Sequence, residues 1–170
     1  MEYTDSTDLN TVKEAYTYKY DKNSRLIEET LKNLYPAKAS DCQNEKRTYS
    51  YDVYGNLVKT DIVDLLDSSE SHTLTYTYDA VGNRLTQLKT VGDKTEKTTY
   101  TYNSLNQMLT SKTTAADGTV KENKTYTYDK NGNQIQVSDS VSNTVTTSTY
   151  DPAGQLSKYV KKENGTTTLT

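Results

Sequence analysis

An all-β fold, a single curved antiparallel sheet of about twelve strands built from successive β-hairpins, is predicted by three features of this sequence. A Tyr-x-Tyr-Asp segment with a turn residue three positions past the Asp recurs along the whole chain, at spacings of roughly 22 to 31 residues. Within it the tyrosines stand two apart with Thr, Ser or Lys between them, the period of a strand with two different faces. The composition agrees: 16 Tyr, no Phe and no Trp in 170 residues, with sparse Leu, Ile and Val. Tyr and Thr form strands readily. A core built from tyrosine rings is thin and half-polar, because each hydroxyl still needs a partner.

The copies are Tyr18-Lys19-Tyr20-Asp21 with Ser24, Tyr49-Ser50-Tyr51-Asp52 with Gly55, and Tyr76-Thr77-Tyr78-Asp79 with Gly82. Tyr100-Thr101-Tyr102-Asn103 with Asn106, Tyr126-Thr127-Tyr128-Asp129 with Gly132, and Tyr150-Asp151 with Gly154 complete the set. The Asp can bond the backbone two residues on, as an Asx-turn. The Gly then supplies a positive φ at no steric cost. Asn106 is the next most tolerable residue there, and Ser24 fits least well. An apolar residue restarts the pattern at Leu26, Leu57, Leu85, Leu109, Ile135 and Leu156.

In chain order, residues 2–5 and 12–20 form a first hairpin with its turn among Ser6 to Asn10. Residues 26–35 carry apolar side chains at helix-like spacing. The array favours a strand over 25–31, and a short helical turn near 30–35 competes with it. An inserted loop over 36–44 then accounts for the longest spacing, and strand 45–52 returns. Strands 57–65 and 72–79 flank a turn at Asp67-Ser68-Ser69-Glu70, and strands 84–91 and 95–102 flank Gly92-Asp93. Ala116-Asp117-Gly118, a strong hairpin signal, joins 108–114 to 119–128. Strands 134–139 and 144–150 follow around Ser140 to Asn143. Strand 156–162 turns at Glu163-Asn164-Gly165 into 166–170, which stops where the next Tyr-Asp is due. The expectation is one array over 1–170, a segment of a longer one, with open sheet edges able to pair with a second copy.

These segments resemble the YD-repeat (Rhs-repeat) family, whose consensus is close to Tyr-Asp-x-x-Gly-Asn/Arg-x-Leu. Tyr51-Asp52-Val53-Tyr54-Gly55-Asn56-Leu57 and Tyr78-Asp79-Ala80-Val81-Gly82-Asn83-Arg84-Leu85 match best, and Tyr128-Asp129-Lys130-Asn131-Gly132-Asn133 is close. Ser24 and Asn106 depart at the Gly position, Asn103 at the Asp position and Ser148 at the first Tyr. The resemblance implies a wall segment of a hollow β-shell, as in bacterial Rhs and Tc-type toxins, where the shell encloses a C-terminal toxic domain, and in cell-surface teneurins. It implies a structural, non-enzymatic role in a secreted or surface-delivered protein. The implied partners are the rest of the array and an enclosed C-terminal domain.

The remaining residues exclude more than they suggest. A net charge of -3 argues against a nucleic-acid partner, which selects a basic stripe. No apolar run reaches membrane-spanning length, and Met1-Glu2-Tyr3-Thr4-Asp5 is not a signal peptide. His72 is the only histidine and Cys42 the only cysteine, so neither a catalytic pair nor a metal or cofactor site is expected. Asp129 to Asn133 lacks the Gly and Glu spacing of a calcium loop. The sequons at Asn123 and Asn164 are frequent by chance in a Thr- and Asn-rich chain. One alternative function remains, a carbohydrate-binding or adhesion module using the Tyr and Thr sheet faces. Packed rings favour the structural role, and exposed flat rings favour glycans.

Overall fold

The alternation of Tyr and Thr resolves into strands whose pairing leaves almost no interior. The computed structural model describes residues 2–4, 12–33 and 44–169. Its fourteen strands are β1 (Glu2–Thr4), β2 (Val12–Tyr20), β3 (Leu26–Asn33), β4 (Glu45–Tyr51), β5 (Leu57–Asp64), β6 (His72–Tyr78) and β7 (Arg84–Val91), followed by seven more. These are β8 (Lys94–Tyr102), β9 (Met108–Ala115), β10 (Val120–Tyr128), β11 (Gln134–Asp139), β12 (Thr144–Tyr150), β13 (Leu156–Glu163) and β14 (Thr166–Leu169). Strand order follows chain order in an antiparallel sheet. A short 3-10 turn, Ser68–Glu70, joins β5 to β6. Each of the fourteen segments read as strand in the sequence forms one, slightly more than the round figure of twelve, and the short β1 and β14 at the two ends both pair.

The chain divides into two compact units, Met1–Tyr76 with Lys89–Asp93, and Thr77–Leu88 with Lys94–Thr170. The turn expected among Ser6 to Asn10, the inserted loop before Asn44, and Cys42 lie outside the described residues. In the first unit, the stretch with helix-like spacing is strand β3 as far as Asn33. Its register explains the spacing. Tyr20 pairs with Leu26 and Lys19 with Glu28, so Ile27 is an extra, bulged residue. One inserted residue puts Leu26 and Leu31, five apart, on the same face as Tyr20 and Tyr16.

Cross-strand pairing divides each unit into a tyrosine face and a threonine face. In the second unit, the tyrosine face pairs Tyr100 with Ser111 and Tyr126 with Val137. The threonine face pairs Thr101 with Thr110 and Thr125 with Ser138, hydroxyl to hydroxyl at 2.6 and 2.7 Å. Among the described residues no hydrophobic side chain is buried. The four buried residues are Asn44, Thr60, Ser111 and Asp139, all polar. Thr60 stands opposite Tyr49 and Ser111 opposite Tyr100, so large rings close over small hydroxyl residues. The expected thin core is thinner still. A sheet whose rings cover small cross-strand neighbours, with no hydrophobic side chain fully buried among the described residues, draws its stability from half-buried pairs and hydrogen bonds.

Candidate functional site: the tyrosine–aspartate turns and their seam

The six Tyr-Asp copies form turns of one backbone pattern. In each, the N–H of the Asp or Asn donates to the carbonyl four residues on, and the residue three positions on donates back to it. The pairs are Asp21 with Arg25 and Ser24, Asp52 with Asn56 and Gly55, Asp79 with Asn83 and Gly82. The others are Asn103 with Gln107 and Asn106, Asp129 with Asn133 and Gly132, and Asp151 with Gln155 and Gly154. The position three past the Asp takes φ 91° at Gly55, 90° at Gly82, 87° at Gly132 and 78° at Gly154. Ser24 and Asn106 adopt φ 62° and 60°. Both departures from Gly therefore keep the turn and bear its steric cost. Ser24→Gly is expected to raise unfolding stability by about 0.5–1 kcal/mol, read from the urea midpoint. A lowered midpoint would show that the left-handed conformation costs nothing there.

The side chain of the Asp carries a second set of bonds. One carboxylate oxygen of Asp79 accepts the Val81 and Asn83 N–H groups at 3.0 and 2.8 Å, and the other accepts the Asn83 amide at 2.9 Å. Asp52 and Asp129 bind Asn56 and Asn133 in the same way. Asp21 uses the Arg25 guanidinium at 2.7 Å. Sequence reasoning identified the first bond as an Asx-turn and missed the fourth-position partner. The Asn/Arg of the consensus was its only signal. Asn103 repeats the scheme with an amide oxygen, accepting from Leu105 and Gln107 N–H at 2.9 and 3.0 Å.

These bonds have an electrostatic consequence. The Asn side-chain amides, helped by backbone N–H groups, hold the carboxyls of Asp52, Asp79 and Asp129 below the ordinary aspartate value. A carboxyl whose folded pKa is depressed adds stability that is present above its unfolded pKa, about 3.9, and lost as pH falls through the folded value. Unfolding midpoints should therefore decline below about pH 4. The Asp79→Asn, Asp129→Asn double variant should flatten that decline, as Asn103 shows that an amide can hold the turn. An unchanged acid limb in the variant would exclude these turns as its source.

The second tyrosine of the motif links one turn to the turn before it. Tyr51 donates its hydroxyl to the Leu26 carbonyl at 2.7 Å in the first unit. In the second unit Tyr102 donates to Arg84 at 2.9 Å, Tyr128 to Met108 at 2.9 Å and Tyr150 to Gln134 at 3.2 Å. Every acceptor lies five residues past the Asp or Asn of the preceding copy. At Leu26, Met108 and Gln134 the pairing register shifts, with Ile27, Leu109 and Ile135 as the extra residues. The apolar restart is therefore not one structural position. Leu26, Leu57 and Leu156 are the paired residue, whereas Leu109 and Ile135 are the bulged one. The hydroxyl-to-carbonyl bond gives a physical reason for 16 Tyr and no Phe. Phe fills the same space and cannot donate.

The first tyrosines act differently. Tyr49 donates to Glu29 at 2.6 Å, and burial together with that carboxylate pushes its pKa up to about 12. Tyr126 lies 3.1 Å from the Ser111 hydroxyl. Tyr76, Tyr78 and Tyr100 are half-buried. Tyr18 and Tyr20 are 49% and 58% exposed, the least covered of the motif rings. Neighbouring turns also touch in the second unit, where Asn83 donates to the Asn106 amide oxygen at 3.0 Å. His72 begins β6 with Nδ1 2.9 Å from the Glu70 carbonyl. Among the described residues no His, Cys, Asp and Glu cluster has metal-ligand geometry.

Five of the six turns lie within the stretch that a family model matches. The sequence model described as Teneurin YD-shell matches residues 37–164. This chain belongs to the teneurin YD-shell family. No curated protein matches it in sequence. Among solved structures, the TcdB2–TccC3–Cdc42 crystal structure matches 89% of the chain with a TM-score of 0.64 at 20% identity. The Photorhabdus luminescens Tc holotoxin pore matches 89% with a TM-score of 0.57 at 17% identity. At these identities the likeness is one of fold. The YD-shell chain spans only 7% and 9% of those two chains.

Proposed function

We propose that this YD-shell segment is wall material of a larger β-shell in a secreted or surface-delivered toxin of the Rhs type. Its partners would be the rest of one continuous repeat array and an enclosed C-terminal domain. The observation that carries the proposal is the hydroxyl-to-carbonyl clamp between consecutive copies, exemplified by Tyr128 on Met108. A copy contributes its tyrosine to the turn before it and receives one from the copy after it, so stability grows by addition of neighbours. With no buried hydrophobic residue among those described, such a segment depends on its neighbours more than an ordinary domain does. Family membership and the small share of the Tc chains that it spans support the same role.

The native product, detected in its source cells with an antibody against this segment, tests the proposal. A product well above 100 kDa, on the order of several domains' length, is expected. A product near the 19.2 kDa of this chain would overturn it.

A further inference from the structure

Charge is segregated between the two faces of the second unit. Its strands carry four carboxylates, Glu96, Glu122, Asp139 and Glu163, and all four lie on the tyrosine face. Register places them there. Glu96 has the alternation parity of Tyr100 and Tyr102, Asp139 pairs with Lys124 and Thr144, and Glu163 pairs with Thr144. Glu122 pairs with Lys124 and Glu163 with Lys161 on that face. The threonine face carries Lys97, Lys112, Lys158 and Lys162 instead. Lys97 pairs with Thr114, Lys112 with Thr99, Lys158 with Thr149 and Lys162 with Val145. All four lysines are exposed. Among the described residues none of them has an ion-pair partner. A chain of net charge -3 thus presents a sheet face of one sign, and it is positive.

The same face is rich in hydroxyls. Thr99, Thr101, Thr125, Thr127, Thr147 and Thr149 are all exposed on it. The Thr101–Thr110 and Thr125–Ser138 pairs leave each hydroxyl with capacity for a further bond. Lys97 and Lys112 are diagonal neighbours on adjacent strands, about 7–8 Å apart at their Cα atoms. No tyrosine of β8, β10 or β12 points to this side.

We propose that the threonine face of the second unit binds a linear acidic polysaccharide, sulfated or carboxylated, through Lys97, Lys112, Lys158 and Lys162. Unpartnered lysines supply the attraction, and the threonine rows match a polyhydroxylated chain lying flat. The absence of rings on this face removes the stacking that neutral sugars and single-stranded nucleic acid require. The surface does not depend on the shell role, and the two can fail separately.

The test is binding of the full chain to heparin, dextran sulfate, neutral dextran and poly-glutamate, with salt varied. Heparin and dextran sulfate are expected to bind with strong salt dependence, and neutral dextran is not. Replacing all four lysines by Gln should weaken binding roughly tenfold or more, and lower the logarithmic salt slope by roughly 3, at about 0.7 per charge as for single strands. The matching Lys→Arg variant should bind like the parent. Lys130→Gln, in an exposed turn, should bind within about twofold, as one solvated charge off the face contributes little. Equal binding by the four-Gln variant, absence of heparin binding at low salt, or binding of neutral dextran would each overturn the proposal. Tighter binding of poly-glutamate would also overturn it, by naming an acidic protein as the partner.

Discussion

Replacing Tyr102, Tyr128 and Tyr150 together by Phe is expected to lower the unfolding free energy by about 3 kcal/mol, near 1 kcal/mol for each lost hydrogen bond. Their hydroxyls donate to the carbonyls of Arg84, Met108 and Gln134, and at Met108 and Gln134 a bulge disrupts the strand ladder. Each ring, with its half-buried area, is retained in the variant, so the loss reports the donor alone. Consecutive copies share a turn, and departures from additivity between neighbouring sites should exceed those between Tyr102 and Tyr150. Tyr159→Phe is the control. That ring is 36% exposed, and its substitution should cost less than about 0.5 kcal/mol. Urea unfolding of both proteins decides the matter. Equal midpoints for the triple variant and the parent would mean that the hydroxyls contribute nothing to the seam.

Asp139→Ala is expected to cost about 2–3 kcal/mol, from donors left without an acceptor in a site closed to solvent. Asp139 is 8% exposed, one of the four buried residues described. It accepts from the Asn123 N–H at 3.2 Å, the Val141 N–H at 3.0 Å and the Ser142 hydroxyl at 2.8 Å. Burial pushes its pKa up, but those three donors outweigh burial and hold the carboxyl below its usual value. The residue thus closes the turn between β11 and β12 and ties it to β10, at the end of the strands away from the Tyr-Asp turns. Asp139→Asn keeps one acceptor oxygen and should cost less than Asp139→Ala. Amide exchange at Asn123 and Val141 should accelerate in the Ala variant with little change at Tyr128. A uniform acceleration would point to global loosening and not to this turn.

Much of this architecture was legible because its determinants are local. Tyr-x-Tyr-Asp assigns two ring positions, one turn acceptor and one left-handed residue within a window of seven, and backbone sterics leave few other solutions. That is why Ser24 and Asn106 could be placed at the glycine position before their φ values were known. The bulged residue was not legible. Ile27, Leu109 and Ile135 look like ordinary alternation in sequence, and only the register of the partner strand shows that each is extra. The extra Ile27 is what gives Leu26 to Leu31 a helix-like spacing. The bulges also split the apolar restart between two different positions.

The one-signed lysine face was hidden for a related reason. Net charge sums both sides of a sheet, and the bulges shift parity, so face assignment by counting residues fails past each turn.

The sequence by itself determined the repeat, its six turns and the two-faced strands, since each follows from steric preferences over a few residues. Only the tertiary structure decided where the tyrosine hydroxyls go. Their acceptors lie 16 to 25 residues earlier in the chain, on strands brought alongside by register and not by spacing. A hydrogen bond of that reach depends on the summed offset of two strands and one bulge, and no local preference encodes that sum.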